Sequence, residues 1–137
     1  MSCIFCAIVN GDLPSYKIYE DEHFLVILDR FPATPGEILI LSKRHEEGIE
    51  GLNFEESSAL MPLTQKICER IKKVLNPAGI NILQNNGKVA GQEIMHYHLH
   101  IIPRYSGNDG FTLYKKPSDT PLEELEKMAA VLNCEKV

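Results

Sequence analysis

Three histidines stand at every second position of one short segment, and this spacing constrains the fold more than any other feature of the chain. The segment 95–102 reads MHYHLHII, so His96, His98 and His100 alternate with large apolar residues. Successive side chains of a β-strand point to opposite faces. The segment therefore predicts a strand over residues 95–104 with one face in the core and three imidazoles on the other. Three buried neutral imidazoles would each need a hydrogen-bond partner, so the pattern indicates a functional site.

Two kinds of site fit a row of histidines. A single metal ion held by all three is disfavoured, because His96 and His100 would lie about 13 Å apart along a strand and metal–nitrogen bonds are only about 2 Å long. The roles of the histidines must therefore divide. The second possibility is nucleophilic catalysis, since a neutral imidazole attacks phosphorus well near neutral pH. Neighbouring imidazoles disfavour each other's charged forms, which favours the middle residue, His98, as the nucleophile.

Apolar patterns elsewhere predict four more strands and two main helices. A long helix begins after Asn53, an N-cap with Glu56 three residues later as a capping box. Thr120 is expected to cap a C-terminal helix over residues 121–132. The elements do not strictly alternate, which favours an α+β fold in one domain over residues 1–137, a five-stranded antiparallel sheet with the helices on one side. The further strands are expected at residues 16–19, 24–28, 37–41 and 80–84, and the buried stripe of the long helix at Leu60, Leu63, Ile67, Ile71 and Val74.

Charge and composition exclude some classes of partner. The 137 residues carry a net charge of −5, and binding to nucleic acid or to an anionic membrane through bulk electrostatics needs a basic face. The first residues contain no basic region followed by a long apolar run, as a signal peptide would. No apolar segment reaches the length of a membrane span. A cytoplasmic protein with four reduced cysteines is therefore expected.

Two of the cysteines have the spacing of metal ligands. Cys3 and Cys6 are separated by two residues, which is typical of zinc knuckles. A redox pair and two plain buried thiols are the alternatives. Cys68 and Cys134 lie on predicted helices without a partner motif and are expected to be packing residues.

The chain resembles the histidine triad (HIT) superfamily, whose signature is His-φ-His-φ-His-φ-φ with φ apolar. The segment 96–102, HYHLHII, matches this signature throughout. The similarity covers about residues 3 to 107, and its branch is that of small dimeric bacterial proteins similar to purine nucleoside phosphoramidases and dinucleoside polyphosphate hydrolases. The other shared segments are CIFC at 3–6, LPS at 13–15, LD at 28–29, TPG at 34–36, KRH at 43–45, NI at 81–82, QNNG at 84–87, GQE at 91–93 and PRY at 103–105.

The resemblance implies a reaction and a set of roles. His98 would attack the α-phosphate of a purine nucleotide conjugate, most simply an adenosine one, and water would hydrolyse the nucleotidyl-histidine. The protein would act as a homodimer with a structural zinc ion. The implied roles are His100 on the phosphate, Gln92 on the leaving group, Asn85 and Gly91 in a phosphate loop, Asp29 on the ribose, Phe5, Ile8 and Ile27 around the base, and Cys3, Cys6, His45 and His96 on zinc.

One residue departs from the family pattern. Many relatives have a further histidine after Thr-Pro-Gly, where this chain has Glu37. A carboxylate there can accept from an imidazole N–H and would favour imidazolium, which bears on substrate preference and pH optimum. Two other functions stay open, a nucleotidyltransferase that passes the nucleotide to an acceptor such as a sugar phosphate, and a nucleotide-binding module with little activity.

Overall fold

The computed structural model describes residues 2–134, which form an α+β domain around one five-stranded antiparallel sheet. The strand order is β1-β2-β3-β5-β4. The predicted fold class is confirmed, while four of the five strands begin one or more residues later or earlier than predicted. The elements are α1 Ile4–Val9, β1 Lys17–Glu20, β2 Phe24–Leu28, β3 Ile38–Ser42, α2 Phe54–Leu75, β4 Gly79–Leu83, β5 His98–Arg104 and α3 Leu122–Leu132.

Helix α2 covers one face of the sheet. Its capping box forms as predicted, because the Asn53 side chain accepts from the Glu56 N–H and the Glu56 carboxylate accepts from the Asn53 N–H. The predicted stripe is buried except for Val74, which is 57% exposed. Leu75, one position later, is the residue that turns toward the domain, where its side chain reaches Gly36. The main core contains Phe24, Val26, Ile38, Ile40, Leu60, Leu63, Ile67, Ile71, Tyr97, Leu99 and Ile101.

Helix α1, a short helix beyond the two main ones expected from the sequence, covers the opposite face of the sheet from α2. The second core is smaller, and its buried members are Phe5, Leu25, Ile27, Leu39 and Leu41. The two cores follow from side-chain alternation in β2 and β3, whose odd and even positions are both apolar, while β5 gives Leu99 and Ile101 to the main core and its histidines to the other face. The sheet is therefore buried on both faces over its three central strands.

The C-terminal helix differs from its prediction in three ways. It lies at 122–132, but Pro121 and not Thr120 is its N-cap, and no side chain makes a capping hydrogen bond. None of its residues is buried. Cys134 follows the helix and is exposed, so its predicted packing role is wrong, whereas Cys68 does pack against the main core. No helix within residues 2–134 is long and apolar enough to cross a membrane.

Candidate active site and metal site

His98, at the start of β5, has one ring nitrogen committed to the backbone. Its Nδ1–H donates to the carbonyl oxygen of His96 at 2.7 Å. A carbonyl only accepts, so in the neutral ring the other nitrogen, Nε2, keeps its lone pair. Burial lowers the pKa of His98 below its ordinary value, and the neighbouring imidazoles of His100 and His96 add to this effect. The result is a neutral imidazole with a free Nε2, the form in which histidine acts as a nucleophile.

Apolar side chains surround this ring. The edge of the Phe5 ring meets His98 at a centroid distance of 4.9 Å. Phe5 and Ile27 are buried in the second core, and Ile8 packs against the same cluster. All three residues expected around a base therefore lie on the face of the sheet that carries the histidines. Their contact with a base stays a prediction.

His96 does not share the strand of the other two histidines. β5 begins at His98 rather than at residue 95, and the His96 ring is turned toward helix α1. Its Nε2–H donates to the Ser42 carbonyl at 2.6 Å, which leaves the Nδ1 lone pair facing two thiols. That Nδ1 atom lies 3.4 Å from the Sγ of Cys3 and 3.5 Å from the Sγ of Cys6.

These residues fit the predicted metal site. The fourth member is His45, whose Nδ1 lies 3.2 Å from the Cys6 Sγ, and the ligand atoms of all four residues lie within 4.8 Å of one another. Tetrahedral coordination with the usual zinc bond lengths separates sulfur from nitrogen by about 3.5 Å. The carbonyl behind His96 also fixes the ring orientation, as is usual for metal-bound histidine. Cys3, Cys6, His45 and His96 could therefore hold a metal ion.

Glu37 and Asp29 stand beside the third histidine. His100 Nδ1–H donates to Glu37 Oε2 at 3.1 Å, so the Nε2 atom of His100 is directed away from the carboxylate. Asp29 follows β2, Glu37 precedes β3 and His100 lies on β5, three adjacent strands of the sheet. Their ligand atoms also lie within 4.8 Å of one another. Glu37, the residue that departs from the family pattern, therefore contacts His100 of the histidine segment directly.

The ionised form of Asp29 is disfavoured in this arrangement. Burial, together with the adjacent Glu37 carboxylate, raises the pKa of Asp29 to about 6. The Phe31 N–H donates to Asp29 Oδ1 at 2.9 Å, which partly opposes the shift. Asp29 thus begins the turn into Phe31, a structural role beside the ribose contact that the resemblance implies. A turn alone does not require a destabilised carboxylate, and such groups are typical of functional sites.

The polar loop after β4 is held by Gln92. The Oε1 of this buried residue accepts from the Gly87 N–H at 2.8 Å, and its Nε2 donates to the Glu47 carbonyl at 2.7 Å and the Ile94 carbonyl at 3.0 Å. These contacts are all internal, so contact with a leaving group stays a prediction. Gly91 has a φ of +98° and would meet the Asn85 amide at 3.2 Å if it carried a Cβ. Glycine is therefore required where the loop folds back on Asn85.

Sequence reasoning missed Ser42 and the other backbone groups of the site. The carbonyls of Ser42 and His96 decide which nitrogen of His96 and His98 is free. A carbonyl is common to every residue, so no side-chain pattern could have indicated either role. The pairing of β3 with β5, which sets Leu41 opposite His98, is what brings the end of β3 to the His96 ring.

The strand order and the histidine segment are those of a histidine triad domain. The HIT domain family model matches residues 10–107, and the chain belongs to this family. Protein hit of Bacillus subtilis is 46% identical over 110 residues, which cover 80% of this chain and 76% of that protein. The adenosine 5'-monophosphoramidase hnt1 of Schizosaccharomyces pombe is 40% identical over 104 residues, covering 76% of this chain and 75% of that one.

Crystal structures show the same fold. A HIT family protein from Bacillus anthracis superposes with a TM-score of 0.89 at 42% identity, covering 95% of this chain and 94% of that chain. A zinc-bound histidine triad family protein from Mycobacterium smegmatis superposes with a TM-score of 0.74 at 39% identity, covering 86% of this chain and 85% of that chain.

We expect Asp29→Asn to stabilise the fold at alkaline pH. With a folded pKa of about 6 against an ordinary 3.8, the wild type favours the protonated acid. The contribution of Asp29 to stability is therefore greatest below pH 4 and is lost as the pH rises to about 6. The neutral amide avoids this loss and keeps an acceptor for the Phe31 N–H. The variant should be about 1 to 3 kcal/mol more stable at pH 8, with no advantage at pH 4.

Urea unfolding followed across this pH range measures the effect. Asp12→Asn, at an exposed position, is the matched control and should follow the wild-type pH dependence. If the free energy of unfolding of Asp29→Asn at pH 8 equals that of the wild type, the pKa of Asp29 is not raised in the folded protein.

Proposed function

We propose that this protein is a nucleotidyl hydrolase that acts at the α-phosphate of adenosine conjugates through a nucleotidyl-histidine intermediate. The observation that carries the proposal is the Nδ1–H of His98 on the His96 carbonyl. It leaves Nε2 as a free nucleophile in a ring whose pKa is lowered by burial. A free, unprotonated Nε2 is what attack on phosphorus requires of a histidine.

The reaction follows from the positions of the two strand histidines. His98 Nε2 attacks phosphorus, and the bond to the leaving group breaks. Water then attacks the nucleotidyl-histidine and returns the electron pair to Nε2. His100, whose ring centroid lies 5.0 Å from that of His98, is the next imidazole along the same face and would hydrogen-bond the phosphate region.

Several features support a nucleotide as the substrate. Asp29 is a carboxylate close to His100, where it would accept hydrogen bonds from ribose hydroxyls. Phe5 and Ile27 provide an apolar wall. The S. pombe relative is named an adenosine 5'-monophosphoramidase, and a structural relative from Candida albicans is described as a histidine triad nucleotide-binding protein. We therefore propose adenosine phosphoramidate or a dinucleoside polyphosphate as the substrate class.

We propose zinc as the metal of the Cys3–Cys6–His45–His96 site. Two thiols and two imidazoles are the donor set of structural zinc, and four protein ligands leave no open position for water. The ion would therefore stabilise the fold without taking part in the chemistry. Its thiol ligands must stay reduced, which agrees with the cytoplasmic location expected from the sequence.

We propose that two copies pair along β4. The two edge strands of the sheet are β1 and β4, and they differ in how readily they could pair with a strand of a second copy. β1 carries Lys17 and Glu20 and has an irregular register against β2, features that oppose further strand pairing. β4 reads GINIL, with no charge. The resemblance to dimeric proteins with a joined sheet supports this edge as the interface.

We expect His98→Ala to abolish AMP release from adenosine 5'-phosphoramidate and from diadenosine polyphosphates, a loss on the order of 1000-fold or more. AMP measured by chromatography gives the rate. His23→Ala removes the one histidine outside both sites and should keep wild-type activity. Wild-type protein that binds adenosine nucleotides but releases no AMP would reject the hydrolase in favour of the binding module. AMP release that requires a sugar phosphate would favour the transferase.

We expect Cys3→Ser to lose the metal. Elemental analysis of protein purified with zinc present should find about one zinc per wild-type chain and almost none in the variant. Loss of the site should lower the melting temperature by about 8 °C, which corresponds to about 2 kcal/mol. Cys134→Ser changes an exposed thiol and should keep both zinc and melting temperature. A wild type without zinc would contradict the assignment.

We expect the wild type to sediment at about twice its chain mass of 15.5 kDa. Ile82→Lys places a charge at a half-exposed position of β4 and should yield monomers. Ile18→Lys makes the same change on β1 and should leave the dimer intact. Sedimentation of the wild type as a monomer, or dissociation by Ile18→Lys alone, would reject this interface.

A further inference from the structure

Helix α3 presents an apolar stripe that no other part of residues 2–134 covers. The stripe consists of four residues on one face of the helix, each more than half exposed, namely Leu122, Leu125, Met128 and Leu132. A helix of 11 residues is marginal in water by itself, because isolated helices shorter than about 12 to 15 residues rarely persist. Helices in proteins are stabilised mainly by packing of an apolar face. The stripe therefore needs a surface from another molecule.

The segment that leads to α3 starts beside the edge strand β4. Arg104, near the end of the sheet, is paired with Gly79 of β4 and donates to the Phe111 carbonyl at 2.8 Å. Residues 112–121 then contain no helix, strand or turn, and an extended segment of this length spans up to about 33 Å. The C-terminal arm (residues 112–132) thus leaves the domain at the edge proposed for pairing and is long enough to reach a second copy.

Charge indicates which surface of a second copy fits the arm. The polar residues of α3 are mainly acidic, and those near its start and middle are Glu123, Glu124, Glu126 and Lys127. The C-terminal half of α2 has the opposite balance at exposed positions, where the charged residues are Lys66, Glu69, Arg70, Lys72 and Lys73. Val74 at the end of this basic surface is an exposed apolar residue. Complementary potentials favour association of the two surfaces.

A second copy fits the arm better than a membrane does. Amphipathic helices that lie on anionic membranes carry lysine and arginine on their polar face, whereas α3 is acidic. Pairing of two copies also needs more contact than β4 can provide. This strand has only five residues, and stable interfaces bury about 1,600 Å² in total. Two docked helices would supply the additional apolar area.

We propose that the C-terminal arm of each copy crosses to the other copy, where the apolar stripe of α3 packs against the basic C-terminal half of α2. The inference rests on the proposed pairing along β4 and extends it, because a two-fold axis makes the exchange reciprocal. The arm lies outside residues 10–107, which the HIT domain model matches. Dimerisation of this chain therefore depends on its own C-terminal region as well as on β4.

Sedimentation equilibrium measures the contribution of the stripe to dimerisation. We expect Leu125→Lys to raise the dissociation constant of the dimer on the order of 100-fold or more, because each of the two arms loses a buried leucine and gains a charge that the basic surface repels. Lys127→Ala is the matched control on the opposite face of α3. It should change the dissociation constant less than about fivefold.

Photocrosslinking identifies the surface that the arm contacts. An isotope-labelled chain with p-benzoylphenylalanine in place of Leu125 is mixed with unlabelled wild-type chain and irradiated. We expect mass spectrometry to find peptides that join the labelled α3 to the unlabelled α2. The same photoreactive group in place of Lys127 should give few such peptides, since that position faces away from the stripe.

The outcomes separate this inference from the pairing on which it rests. A wild type that sediments as a monomer would overturn both. A dimer that Ile82→Lys dissociates and Leu125→Lys leaves intact would keep the β4 interface and reject the exchanged arm. Crosslinks confined to single labelled chains would also reject it. Wild-type protein that binds vesicles of phosphatidylserine and phosphatidylcholine, when Leu125→Lys does not, would assign the stripe to a membrane surface instead.

Discussion

Leu99 and Ile101 are buried beneath α2, and removing their apolar surface from water fixes the orientation of β5. Because alternate side chains of a strand point to opposite faces, that burial places His98 and His100 together on the α1 face. The same alternation on β2 and β3 directs Asp29 and Glu37 to this side. A one-residue slip of β5 would bury both imidazoles in the main core and move the apolar residues into the site. Core packing therefore sets the register on which the chemistry depends.

The three histidines differ in their chemical environment because each has a different partner on one ring nitrogen. His96 donates to the Ser42 carbonyl and directs Nδ1 toward the cysteines. His98 donates to the His96 carbonyl and keeps Nε2 free. His100 donates to the Glu37 carboxylate and directs Nε2 away from it. Three identical residues of one motif are thus left with differently directed free nitrogens, and their hydrogen-bond partners make the difference.

Patterns that depend on local periodicity could be predicted from the sequence. The strand at Phe24–Leu28 and the capping box at Asn53 follow from residue type and spacing. Features set by long-range packing could not. β5 begins at His98 because the preceding residues bend toward the cysteines of α1, which no local pattern indicates. Thr120 has the residue type of an N-cap, but the chain starts its helix at Pro121 without a side-chain cap. The meeting of Asp29, Glu37 and His100 depends on the order of three strands.

His96 joins the proposed metal site to the proposed nucleophile. Its ring belongs to the four-residue cluster, and its carbonyl accepts from the nucleophile's Nδ1–H. A metal ion on the ring would restrict the backbone of this residue, and the carbonyl that fixes the His98 tautomer would be restricted with it. Without that restraint, rotation of the peptide would allow either nitrogen of His98 to carry the hydrogen. A metal that takes no part in the chemistry would in this way still favour the reactive form of His98, just as outer hydrogen bonds orient metal ligands themselves.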